Sequence, residues 1–145
     1  MKRLIALFIP LSLYVMTANP TLAQQFDYPS NKNKTYIDES KFYNEGNKGE
    51  YKEFEDATYS VRRKLFYKEV PDAVMTFEKK TGRYGCQPKQ PLAPAIHPER
   101  QVYLFASFFQ TKDEEFWKYT VIDAETKREL EGGKSYHKYE NPYKK

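Results

Sequence analysis

The chain has 145 residues with 24 Lys+Arg against 20 Asp+Glu, one cysteine, 13 Tyr, 10 Phe and one Trp. That length allows a single domain, and the lone cysteine excludes a scaffold stapled by internal disulfides. With so few aliphatic residues, the core must be largely aromatic, each ring burying roughly 150–250 Å².

Lys2 and Arg3 precede an apolar run, 4–16, that ends in the small-residue pattern Thr21-Leu22-Ala23. This order predicts a secretory signal peptide over 1–23, cleaved between Ala23 and Gln24. The apolar run is shorter than the roughly 20 residues a membrane span needs, so no span is expected in the mature chain. Without Lys2 and Arg3 the net charge falls from +4 to +2. Lysines and glutamates alternate along the remainder, which is the pattern of a solvated surface and gives no basic stripe for nucleic acid.

Residues 24–49 are polar and broken by Pro29, Gly46 and Gly49, and read as an extended arm. Its aromatics, Phe26, Tyr28, Tyr36, Phe42 and Tyr43, are suited to docking the arm on the domain or on a partner. Asn33-Lys34-Thr35 matches a glycosylation acceptor, a match that is meaningless in an ordinary bacterium. The domain proper is expected over 50–133.

Phe54, Ala57, Val61 and Leu65 fall at steps of three and four, which predicts an amphipathic helix over 50–68. Pro71 interrupts it and suits the first turn of a second helix over 72–80, which Gly82 would stop. The segment 73–77 also alternates as a strand would, but helix is the preferred reading. Prolines at 88, 91, 94 and 98 make 85–100 a stiff connector.

Residues 101–110 are an unbroken run of β-branched and aromatic side chains, a strand covered on both faces. Val102, Leu104, Ala106 and Phe108 would share one face, and Tyr103, Phe105, Ser107 and Phe109 the other. Residues 116–122 read as its antiparallel partner. The turn at 123–126 leads to a third strand at 127–130, which Gly132-Gly133 would end, leaving 134–145 as a flexible Tyr/Lys tail. The expected fold is therefore α+β, with one or two N-terminal helices packed on a small antiparallel sheet of about three strands.

The chemistry is read mainly by elimination. His97 and His137 have no metal-ligand spacing, so neither a metal nor a cofactor is expected. Cys86 is the one nucleophile of note, with His97 or His137 as a candidate base. Its alternatives are burial as a small hydrophobe or a disulfide to a second copy, which would make a dimer. The candidate binding residues are Tyr103, Trp117 and Tyr119, aromatics interleaved with lysine that suit stacking on a ligand or filling the core. The reading that follows is an exported, non-enzymatic binding protein of the bacterial cell envelope, periplasmic or secreted, with an envelope protein as partner. The alternatives are a small cell-wall or small-molecule hydrolase with a dispersed active site, and a secreted effector or toxin.

Overall fold

A computed structural model describes residues 25–46, 49–82 and 91–139. The expected signal peptide, Cys86 and the last six residues lie outside that range. The fold is α+β: a four-stranded antiparallel sheet in the order β1-β2-β3-β4, with a helix against one side. The strands are β1 (Tyr59–Phe66), β2 (Gln101–Gln110), β3 (Glu114–Asp123) and β4 (Glu129–Lys138). The helical pieces among the described residues are α1 (Glu39–Asn44) within the arm and, between β1 and β2, a 3-10 turn (Tyr67–Glu69) that leads into α2 (Val70–Lys80).

The centre of the sheet follows the sequence pattern. Every residue from Val102 to Phe108 is buried, so β2 is covered on both faces. On one side, Val102, Leu104, Ala106 and Phe108 join Val121, Tyr119 and Trp117 of β3 beneath Val70, Ala73 and Phe77 of α2. On the other, Tyr103, Phe105 and Ile122 meet Phe42 of the N-terminal arm and Tyr51 just after it. We call these the helix side and the arm side. Pro71 sits in the first turn of α2, Lys79 and Lys80 lie in its last turn, and Gly82 follows at φ 75°. These are the start and stop signals of a helix, and the apolar stripe they bracket is the one the sheet covers.

Two expected elements take a different form. The helix over 50–68 is replaced by a turn near Phe54–Ala57 and then by β1. Val61 and Leu65 of that set also fit a period of two, and with Tyr59 they lie opposite Ala106, Val102 and Phe108 on the helix side. β2 exposes a row of backbone donors and acceptors on that edge, and pairing with it outweighs a helical spacing whose interior would be isolated. The sheet has four strands where three were expected, because 129–138 forms β4 along β3. That strand absorbs Gly132 and Gly133 and the beginning of the expected tail. At Gly133 a methyl group would lie 2.7 Å from Cε1 of Tyr119 and 3.2 Å from Cζ3 of Trp117. The glycine therefore serves close packing beneath two rings inside a strand, a role its local sequence shares with a terminator.

The arm is docked. Phe42 stacks on Tyr103 with ring centroids 3.8 Å apart. Arg62 of β1 lies 3.9 Å over the Tyr43 ring and makes a two-pronged ion pair with Glu53 at 2.7 and 2.9 Å. Asn31 is buried, accepts from the Gln101 backbone at 2.7 Å and donates to the Tyr36 hydroxyl at 3.2 Å. Further back, Tyr28 forms a parallel bridge to Ile96 of the connector. Burying a ring such as Phe42 contributes roughly 2–3 kcal/mol, enough to offset the ordering of only a few arm residues. Several such anchors are needed, and the arm has them.

Candidate functional site

The expected site residues are dispersed. His97 belongs to the connector, where its Nδ1 accepts from the Glu99 backbone at 3.0 Å and its ring meets Phe26 edge-on. His137 is near the end of β4, opposite Glu115, with its ring against Tyr139. The two histidines thus have separate surroundings, and Cys86 lies outside the described residues. Tyr103, Trp117 and Tyr119 are all buried. Tyr103 donates its hydroxyl to the Ile37 carbonyl at 2.7 Å under the arm, and burial pushes its phenol up to about 12. Trp117 packs between Phe77 and Tyr119 on the helix side. Among the described residues no three His, Cys, Asp or Glu side chains gather as a metal site requires, and no helix is long and apolar enough to cross a membrane.

The concave surface lies elsewhere. The arm covers β1 and β2 but stops over β3, so the arm-side residues of β4 (Gly132, Lys134, Tyr136 and Lys138) are exposed. Two adjoining clefts open there. The first, about 440 Å³, is lined by Glu50 and Tyr51 just after the arm, Lys118 and Thr120 of β3, and Glu129, Gly132, Gly133 and Lys134 of β4. The second, about 410 Å³, is lined by Phe54, Phe116 and Tyr136. Lys118 and Lys134 line both.

The local sequence explains this arrangement. β3 alternates, so Phe116, Lys118 and Thr120 face the arm side while Trp117, Tyr119 and Val121 face α2. The antiparallel register sets Phe116 opposite Tyr136, Lys118 opposite Lys134 and Thr120 opposite Gly132. Phe54 is anchored to β2 by its backbone N–H, which donates to the Ser107 hydroxyl at 3.1 Å, and Ser107 pairs with Lys118 of β3. Its ring then lies 6.1 Å from Phe116, which in turn is 4.7 Å from Tyr136.

Lys118 is the unusual member. Its ammonium sits 3.9 Å over the Phe54 ring and 5.5 Å from that of Tyr51, and it forms no ion pair among the described residues. Burial pushes this lysine below the ordinary range, an effect the charge of Glu53 only partly offsets. A second lysine directly across the strand pair adds like-charge repulsion. Thr120 is 3% exposed, and its hydroxyl has no hydrogen-bond partner. An unsatisfied buried hydroxyl costs about 1–3 kcal/mol. Two cations and a ring-lined wall therefore meet in one open depression, and the Thr120 hydroxyl lies buried beneath it.

Only part of this was accessible from sequence. The aromatics interleaved with lysine that the sequence offers, Tyr103, Trp117 and Tyr119, are all buried. Lys134 and Tyr136 read from sequence as tail and Phe54 as helix, whereas both β4 residues are paired with β3. The alternation of β3 was the usable signal, since it puts Phe116, Lys118 and Thr120 together. The pairing that adds β4 is long-range.

No family model matches this chain, and neither a curated protein nor a solved structure is detectably similar to it.

Proposed function

We propose that this chain is an exported, non-enzymatic binding protein of the bacterial cell envelope, and that it binds through the uncovered β3–β4 part of the arm side. The observation that carries the reading is the pair of adjoining clefts around Lys118 and Lys134. The second cleft is walled by Phe54, Phe116 and Tyr136, the two lysines are shared by both, and Tyr136 stands 54% exposed at the rim. Binding sites commonly combine apolar walls with a few convergent polar groups in this way. Export rests on the N-terminal pattern of residues 1–23, and the preferred partner is an envelope protein.

The test is site-specific photocrosslinking of the full chain in envelope extracts, with the crosslinker at position 136 and, as a control on the opposite side, at position 75. Met75 is itself 37% exposed on α2, so the two probes are comparably accessible. A discrete adduct from 136 and none from 75 supports the reading. Equal labelling from both positions, or none from 136, contradicts it.

A further inference from the structure

We infer that the clefts form one site for a carboxylate carried on an aromatic or compact apolar group, the carboxylate lying between Lys118 and Lys134 and the apolar group against Phe54, Phe116 and Tyr136. This assignment rests on the binding role proposed above and specifies its ligand chemistry.

The charge distribution fixes the orientation. Both lysines line both clefts, whereas Glu50 and Glu129 line only the first. Glu129 pairs with Ile122, and its carboxylate reaches back over Gly132, across from Thr120, at the end of the first cleft away from Phe116 and Tyr136. An anion is therefore drawn to the lysine pair, and any apolar attachment is directed away from Glu129 toward the ring-lined cleft. The wall there is Phe54, Phe116 and Tyr136, whose hydroxyl is engaged with Glu114 at 3.1 Å, leaving the ring to face a ligand.

The energetics point the same way. Lys118 and Lys134 repel one another across the strands, and Lys118 has lost part of its hydration without gaining an ion pair. A bound carboxylate relieves both costs at once, and charge-assisted hydrogen bonds are about twice as strong as neutral ones.

Such a carboxylate could belong to a free acid or to the C-terminal residue of a peptide. Calorimetric titration of the full chain separates the sources and tests the proposal. The probes are 3-phenylpropanoate, its neutral amide, 3-phenylpropylamine, acetate, and an acetylated tripeptide ending in phenylalanine with a free or an amidated C-terminus. The expected result is saturable binding of 3-phenylpropanoate, at least about 10-fold tighter than its amide or the amine, with acetate far weaker because it lacks the ring. Tighter binding of the free-carboxylate tripeptide than of 3-phenylpropanoate assigns the site to a peptide terminus, and the reverse order to a free acid. Lys134→Gln, at an exposed position that leaves the core intact, should weaken the carboxylate about 5- to 10-fold without weakening the amide. Lys118→Gln should do the same or more.

Equal affinity for acid and amide, full affinity in the Lys118→Gln/Lys134→Gln double variant, or no saturable binding of either carboxylate would overturn the assignment. If that happened while position 136 still gave its crosslink, the binding role would stand and only the ligand class would fall.

Discussion

Arg100 and Asp123 form a buried, two-pronged ion pair, with Nε to Oδ2 at 2.6 Å and Nη2 to Oδ1 at 2.9 Å. The two residues are 3% and 0% exposed, and the remaining valences of the pair are used. Arg100 also donates to the Pro29 carbonyl at 2.8 Å and reaches Glu125 at 3.0 Å. Asp123 Oδ1 accepts from the backbone N–H groups of Glu125 and Thr126 and so shapes the β3–β4 turn. The pair joins the connector, the arm and the hairpin at one end of the sheet.

Breaking this pair from one side leaves a buried charge without its partner. Asp123→Asn and Arg100→Met should each lower unfolding stability by about 3–5 kcal/mol in urea titrations. Burial by itself would raise the Asp123 carboxyl, but hydrogen bonds from Arg100 and Thr126 hold it below the usual carboxylate range. Its contribution is therefore full above the unfolded value near 3.8 and is lost as pH falls through the lower folded value. Acid titration of stability should show a loss in that window in the native chain that Asp123→Asn lacks.

Glu131 has the opposite sign. Burial raises its carboxyl above the ordinary value, and the hydrogen bond from the Tyr67 hydroxyl at 3.0 Å offsets this only partly. Its contribution to stability is full below the unfolded value near 4.5 and is lost as pH rises through the folded one. Glu131→Gln keeps an acceptor for Tyr67 and should raise the melting temperature at pH 7 by up to a few degrees, with a smaller gain at pH 4. Calorimetry at the two pH values checks it, and a destabilised variant at pH 7 would refute the sign.

Gly133 is constrained by the rings above it. Gly133→Ala should cost about 1–3 kcal/mol through overpacking against Tyr119 and Trp117. Pairing it with Tyr119→Val should recover part of that loss, since neighbouring substitutions at one contact do not add. Denaturant midpoints of the two single variants and the double variant measure the coupling, and strict additivity would contradict the proposed contact.

Phe42 tests the arm. Phe42→Ala should cost about 3–5 kcal/mol and speed amide hydrogen exchange at Tyr103 and Phe105 beneath it. If exchange at those strand amides were unchanged, the arm would not be acting as the cover of that face.

These relationships mark what local sequence can and cannot encode. β2, most of β3 and α2 are legible because each carries its own signal: an unbroken β-rich run, an alternating partner, and a helix bracketed by Pro71 and Gly82. β1 and β4 are misread because both are edge strands that depend on a neighbour distant in sequence. Val61 and Leu65 satisfy helical and strand periods alike, and Gly133 looks like a terminator until Tyr119 is placed over it. The candidate site inherits those errors, since Lys134 and Tyr136 reach Lys118 and Phe116 only once β4 is paired.

The most direct test of the account is an amide chemical-shift titration of the full, isotopically labelled chain with 3-phenylpropanoate. The expected result is saturating shifts confined to residues 50–54, 116–120 and 132–136, abolished in the Lys118→Gln/Lys134→Gln double variant. Shifts centred instead on α2, or spread evenly over the surface and unchanged in the double variant, would contradict a binding site on the uncovered part of the sheet.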